Sequence, residues 1–352
     1  MDTHSVFASR VERARKSREY QNYLQVRDAV FKMMSYMPDG GEAIPSAYWR
    51  EELSGMEYML DASPLIIEKL RHHCYHLTGV REYDYRPHHA HRSPALERQF
   101  RMLRSLDSKG LFVPEPPELG GFGYNIDGKL INTDTLLFYR SLLVLDKAGL
   151  LDQFRDDQQR KIILEIGGGW CGFAYQMKTL FPNLTYIVVD LPGSILFGAT
   201  YIKTLFPNAR VLTVADNFGL PPQETVSGYD FIFIPHHLWP ALNFGRPDLT
   251  VNMASFQEMT TAQVESYAKK IHSWGCSALY SINRDHSPNN PELTTVSSIL
   301  GRYYDLTEMR LPTPKEKPTT RERIVKIVKF ILGKRSGVPS IHEYRHLVGK
   351  PK

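Results

Sequence analysis

Cysteine is scarce: Cys74, Cys171 and Cys276 are the only three in 352 residues. An odd, widely spaced set argues against a disulfide framework and fits a reducing compartment, so a cytoplasmic location is expected. No apolar run approaches the ~18 residues that a membrane-spanning helix requires. The opening stretch MDTHSVFASRVERARKSREY holds no apolar core of signal-peptide type, and Asp2 and Glu12 speak against an organelle transit peptide. Charge of one sign is also in short supply. Lys and Arg total 43 against 38 Asp and Glu, for a net charge of +5. So small and diffuse an excess points away from nucleic acid as a partner. What the chain does have is length and apolar content, 42% of 352 residues, enough for one large or two medium domains with a packed core.

Two grammars divide the sequence. Residues 1–125 read as mainly helical, a region for capping, substrate contact and pairing with a second copy as a homodimer. VERARKSREYQNYLQVRDAVFKMM has apolar positions at helical spacing. SPLIIEKLRHHCYHLTG begins with Ser63 as N-cap and Pro64 at the first helical position, and stops near Gly79; SPALERQFRMLRSLDSKG repeats that pattern from Ser93 to Gly110. After a Pro- and Gly-rich loop, TDTLLFYRSLLVLDKAGLL forms another helix. From residue 161 the pattern becomes strand, turn, helix. KIILEIG, LTYIVVDLP, ARVLTVADN, YDFIFIPHHLW and SALYSINRDH are five predicted strands, and a long helix is expected within NMASFQEMTTAQVESYAKKIHSWG. Short apolar strands alternating with amphipathic helices predict an α/β fold, a Rossmann-like doubly wound and mostly parallel sheet over residues 126–312. Residues 313–352 form a basic tail.

The segment IILEIGGGWCGFAYQ carries the functional signal. Ligands of a doubly wound sheet bind at the carboxyl ends of its strands. Glycines there let the backbone turn sharply and let a ligand approach the main chain. Gly167-x-Gly169-x-x-Gly172 satisfies a dinucleotide fingerprint, which alone is weak. Glu165 narrows the choice. A dinucleotide needs no carboxylate at that place, whereas S-adenosylmethionine (SAM) carries an ammonium group at its amino acid end. Asp190, at the tip of the second strand, is the expected acceptor for two ribose hydroxyls, and Leu191 follows it. Asp216 and Asn217, ending the third strand, are placed to receive an adenine amino group. Gly168 and Trp170 complete the expected cofactor set.

LEIGGGWCGFAYQM and FPNLTYIVVDLP resemble the nucleotide-binding core of class I SAM-dependent methyltransferases. The similarity is greatest to the sugar O-methyltransferase group, and it extends to GYNIDGKLINTDTLLFYRSLLVL upstream and SFQEM at 255–259. It covers roughly residues 120–310. Trp170 and Cys171 depart from the commoner small residues of this loop. The resemblance implies a class I methyltransferase fold, SAM as cofactor, and methyl transfer to a hydroxyl of a sugar or glycan.

A sugar hydroxyl is a poor nucleophile, so a general base is expected, with histidine the default. His236 and His237, in IPHHLW at the tip of the fourth predicted strand, are the candidates, His237 slightly preferred. Glu258 is placed to orient the histidine or hold the sugar. Asp285 and His286, after the fifth strand, complete the rim. Six of the thirteen histidines fall in RHHCYHLTGVREYDYRPHHAHR. No spacing there matches a zinc site, so a polar wall over the active site is expected, with His88 and His89 touching substrate. Some sugar methyltransferases acidify the hydroxyl with a divalent metal; the carboxylates here form no distinctive metal-binding spacing, so a metal stays open as the less favoured alternative. In the tail, TTRERIVKIVKFILGKR reads as a basic amphipathic helix suited to an anionic membrane surface, or as the last strand of the sheet. Two other functions draw on the same residues: an NAD-dependent oxidoreductase, and a non-catalytic methyltransferase-like scaffold.

Overall fold

The computed structural model describes residues 3–38, 40, 44–156, 158–216, 219–243, 245–287, 290–293, 295–312 and 344–352. The basic segment of residues 319–335 therefore lies outside the described residues. Seven helices form the N-terminal region: α1 (Thr3–Arg15), α2 (Arg18–Ser35), α3 (Ala47–Gly55), α4 (Pro64–Ile67), α5 (Leu70–His73), α6 (Tyr75–Thr78) and α7 (Ser93–Leu106). Ser17 ends the first long helical pattern and starts the next, its hydroxyl accepting from the Tyr20 N–H. The helix predicted between Ser63 and Gly79 is broken into three single turns. At the first break the loop carrying Gly120 presses so close that a Cβ on Gly120 would stand 3.0 Å from the Lys69 Cα.

A hairpin of β1 (Tyr124–Ile126) and β2 (Lys129–Ile131) leads into α8 (Thr133–Lys147), capped by the Asn132 side chain. The sheet then builds from β3 (Lys161–Ile166), β4 (Leu184–Asp190), β5 (Val211–Thr213), β6 (Phe231–Pro235), β7 (Leu249–Met253), β8 (Leu279–Asn283), β9 (Tyr304–Met309) and β10 (Arg345–Pro351). Helices α9 (Gly172–Leu180), α10 (Pro192–Leu205), α11 (Thr261–Ser273) and α12 (Val296–Leu300) cover it. The strand order is β5-β6-β4-β3-β7-β8-β10-β9, with β10 antiparallel to both neighbours and the other pairings parallel. This is the Rossmann-like, mostly parallel arrangement expected.

Side chains alternate across the sheet as a two-residue period requires. Ile163, Tyr186, Val188, Phe231 and Phe233 pack under α8, α9, α10 and the N-terminal helices. Leu164, Ile166, Ile187, Val189, Ile232 and Ile234 pack on the face carrying α11 and α12. Burial on both faces explains why these strands read as continuous apolar runs.

Two differences from the sequence reading bear on the site. Strand β7 (LTVNM) runs into the start of the stretch in which only a helix was expected. It pairs directly with β3, Ile166 opposite Asn252. Strand β6, the fourth predicted strand along the chain, lies on the far side of β4 from β3, Asp190 opposite Pro235. His236 and His237 begin the 3-10 turn after β6 and so stand on the outer flank of β4, two strands from β3. The tip beside the glycine turn belongs to β7. Among the described residues no helix is long and apolar enough to cross a membrane, and the three cysteines are free and buried.

Candidate functional site

The chain reverses direction of sheet growth at β3, with β4 on one side and β7 on the other, and the crevice at that switch point opens at the carboxyl ends. Gly167 leaves β3 with φ +73°, and its N–H donates to the Val189 carbonyl at 2.8 Å. A Cβ on Gly167 would stand 1.9 Å from Ser255 Oγ, so the turn passes flush against the β7 tip only as glycine. The Gly169 N–H donates to Asp190 Oδ2 at 2.7 Å, and the Leu191 N–H to Oδ1 at 2.7 Å. Asp190 thus clamps the β4 tip to the turn and keeps a lone pair on each oxygen for a ligand.

Gly172 has a different task. It opens α9 outside the cavity, and a Cβ there would lie 2.4 Å from ring atoms of Phe138 and Trp170. Gly172→Ala is expected to destabilise the protein by about 1–3 kcal/mol through overpacking. A thermal melt should show the midpoint several degrees lower; an unchanged midpoint would mean the rings part freely.

The crevice encloses a cavity of ≈ 470 Å³ whose walls include Glu165, Gly167, Gly168, Gly169, Trp170, Asp190, Leu191, His236 and Glu258. Its volume falls within the range of small-molecule sites, about 300–1,000 Å³. Glu165 is 2% exposed and accepts a hydrogen bond from the Tyr186 hydroxyl at 3.0 Å. Burial, with Asp190 adding to it, pushes its carboxyl up to about 8. Among the described residues, no cation is one of the groups acting on it. Burial likewise raises Asp190 to about 6, against the pull of its two backbone donors and of the Ser194 hydroxyl.

The opposite wall comes from β7 and the turn after it. Asn252 Nδ2 donates to the Ile166 carbonyl at 2.8 Å, while its Oδ1 accepts from Phe256 N–H and Asn283 Nδ2. Three strand tips are tied through this one buried amide. Ala254, at φ +54°, holds a left-handed conformation that an alanine rarely adopts. Glu258 follows, half-buried. Burial pushes its carboxyl up to about 8, opposed by the Gln257 amide at 3.4 Å and by Arg284. The Arg284 guanidinium lies 4.8 Å from the Tyr344 ring. Helix α3 lies over the opening with Tyr48, Trp49 and Glu52, held by the Ser46 hydroxyl donating to the Glu258 carbonyl at 2.6 Å.

The remaining expected residues lie elsewhere. His237 turns to a second cavity of ≈ 500 Å³ with Trp239, Tyr267 and Lys270, and burial lowers its pKa. Asp216 is outside the first cavity and caps the Gly219 N–H at 3.0 Å. Asn217 lies outside the described residues. His88 and His89 sit in a 3-10 turn with ring centroids 4.2 Å apart, both edge-on to Tyr83 and away from the cavity. Asp285 is engaged by Arg345 and Ser297, and exposed His286 points away; Arg284 and Ser287 line the cavity in their place. Of the six clustered histidines, His76 reaches the cavity wall. No group of three or more His, Cys, Asp or Glu able to hold a metal occurs among the described residues.

No protein-family model matches the sequence, and no curated protein matches it. Among solved structures, an O-methyltransferase family protein from Burkholderia thailandensis is similar at 14% identity and TM-score 0.30, over 62% of this chain and 60% of that one. The PH0226 protein from Pyrococcus horikoshii is similar at 12% identity and TM-score 0.36, over 61% of this chain and 91% of that one. Phosphoethanolamine N-methyltransferase 2 from Haemonchus contortus, in complex with S-adenosyl-L-methionine, is similar at 13% identity and TM-score 0.34, over 62% of this chain and 57% of that one. The chain spans about three fifths of the first and third of these proteins, and overlaps of this size establish no shared activity.

Proposed function

We propose that this chain is a SAM-dependent O-methyltransferase acting on a hydroxyl of a sugar or glycan. The observation that carries the reading is Glu165: a buried carboxyl group in the cavity wall, beside a glycine turn and a strand-tip aspartate, with no cation acting on it among the described residues. An ammonium-bearing ligand supplies the missing counter-charge. A pyrophosphate on the same turn would meet that carboxylate instead, which disfavours a dinucleotide and hence the oxidoreductase reading.

When bound, SAM supplies an electrophilic sulfonium methyl. Glu165 would hold its ammonium, the free lone pairs of Asp190 its ribose hydroxyls, and the main chain of Gly167–Gly169 would lie along it. Glu258, on the β7 side, would take the proton of the acceptor hydroxyl, because a carboxyl pushed to about 8 is a stronger base than an ordinary glutamate. The faces of Tyr48 and Trp49 suit the apolar face of a sugar ring, and α3 shields the site from water. His236, in the cavity wall beyond Asp190, stands on the flank that would hold the nucleoside. A histidine base at that place is therefore set aside in favour of Glu258.

Calorimetry with SAM and methyl transfer from labelled SAM to a sugar panel test the proposal. Glu258→Gln is expected to lower kcat about a hundredfold with SAM affinity retained, the scale of one general base. A larger loss in His236→Ala than in Glu258→Gln would return the base to histidine. SAM binding with no transfer to any acceptor would favour the scaffold reading.

A further inference from the structure

Arg71 is wholly buried, and the expected function gives it no task. It projects from the single turn α5, in the N-terminal region, into the base of the methyltransferase core. Its Nε donates to Glu115 Oε1 at 2.6 Å and its Nη2 to Asp134 Oδ2 at 3.0 Å. Its guanidinium carbon lies 3.6 Å from the centre of the Trp170 ring system and 4.9 Å from that of Phe122. Glu115 is held in turn by Asn132 Nδ2 at 3.1 Å, and Asp134 opens α8 and lines the cavity. Burying such a group in water's absence costs several kcal/mol before its partners offset it, so it is poorly explained as a stability device.

Trp170 is the residue through which Arg71 meets the glycine turn. The indole is 3% exposed, flat against the guanidinium on one side and edge-on to Tyr201 at 5.0 Å. The next residue, Cys171, holds φ +64°, which a non-glycine residue keeps only when its surroundings enforce it. Gly172 leaves space for the indole to close over the turn. The chain thus spends a tryptophan, a strained cysteine and a buried arginine at the one loop that must stay open to a ligand.

We infer that Arg71 is the positioning residue of the cofactor turn: its guanidinium pins Trp170, which fixes the backbone of Gly167–Cys171, and it holds the Asp134 carboxylate in the cavity wall. The inference rests on the SAM reading for its functional meaning, but the pinning itself is testable without any ligand. Helix α5 reaches the turn through this side chain, so the N-terminal region sets the shape of the site as well as covering it.

The test uses the full chain with Arg71→Lys, which keeps the charge and loses the planar stack, and Trp170→Leu, which leaves both ion pairs intact. Ile299→Ala, in the core on the opposite face of the sheet, sets the level expected of lost stability alone. Amide exchange of a peptide spanning residues 166–172 is read in the ligand-free protein, and the dissociation constant of S-adenosylhomocysteine is read well below the melting midpoint. Exchange at least tenfold faster in Arg71→Lys or Trp170→Leu, and not in Ile299→Ala, supports the inference. A tenfold weaker S-adenosylhomocysteine constant in Arg71→Lys, whose side chain does not line the cavity, ties the pinning to the cofactor. Unchanged exchange in both variants overturns the inference whatever the ligand does. Faster exchange with no ligand bound by the wild type leaves the pinning standing and removes the SAM reading. If Arg71→Lys does not fold, Trp170→Leu decides by the same measures.

Discussion

Ending the chain at position 343 is expected to abolish the cooperative fold. The nine residues removed include β10, which sits between β8 and β9 and bonds antiparallel to both. Leu347 and Val348 are buried there, and the His346 ring meets the Tyr280 hydroxyl at 2.8 Å. Arg345 joins Glu308 at 2.9 Å and also pairs with Asp285, linking β9 and β8 through β10. Without the strand, β8 becomes an unpaired edge and β9 loses its partner, which invites aggregation. Insoluble protein, or a soluble one without a sigmoidal melt by circular dichroism, is the expected result. Tyr344 also leaves the cavity wall, so any residual fold should lose substrate before it loses SAM. A shortened chain with a wild-type melt would mean that the sheet closes without β10.

How much of this was legible in the sequence follows from where each residue's constraint is local. Glu165, the glycine turn and Asp190 lie within one strand-helix-strand unit, β3-α9-β4, so their order alone placed them on one sheet edge. Strand β7 was hidden because its buried positions include Thr250 and Asn252, polar residues that break an apolar run; their partners, Cys276 and the Ile166 carbonyl, are distant in sequence. The β-branched pair in LTVNM, after a turn at Gly-Arg-Pro, was the signal available. Missing it placed the expected base on His236 and His237, at the tip of β6, which lies across β4 from the glycine turn. Asp285 and His286 were one residue out of phase with Arg284 and Ser287, a difference that only the end of β8 decides. Tyr48, Trp49 and Glu52 come from a helix about two hundred residues before Glu258, and no local pattern announces that approach. Arg71 was masked by the histidines around it. In each case the missing information is long-range: which neighbour a strand takes, and which side chain a distant helix delivers.

Glu165→Gln is expected to weaken SAM binding by roughly a hundredfold or more at pH 8, the scale of a buried charge left without its partner. The pH dependence is the sharper test. In the ligand-free protein the carboxyl titrates at about 8, raised by burial. The ammonium of the ligand loses its proton at about 7.7–8.0. Binding needs the first group ionised and the second protonated, so affinity should peak near pH 8. Two pH units to either side it should fall by about twentyfold, with a proton released on binding below the peak and taken up above it. In Glu165→Gln the acid limb should disappear while the alkaline limb remains, since the amine still titrates. The same carboxyl links to stability with the opposite sense. A raised value means that its contribution is intact below the ordinary glutamate range and is lost as pH climbs through about 8. Glu165→Gln should therefore raise the melting midpoint of the ligand-free protein at pH 9 while removing the shift that SAM confers on the wild type. Calorimetry from pH 6 to pH 10, with buffers of different ionisation enthalpy, reads the proton count directly. A wild-type affinity that is flat across that range would show that this carboxylate does not grip the ligand's amine, and the methyltransferase reading would lose the residue it is built on.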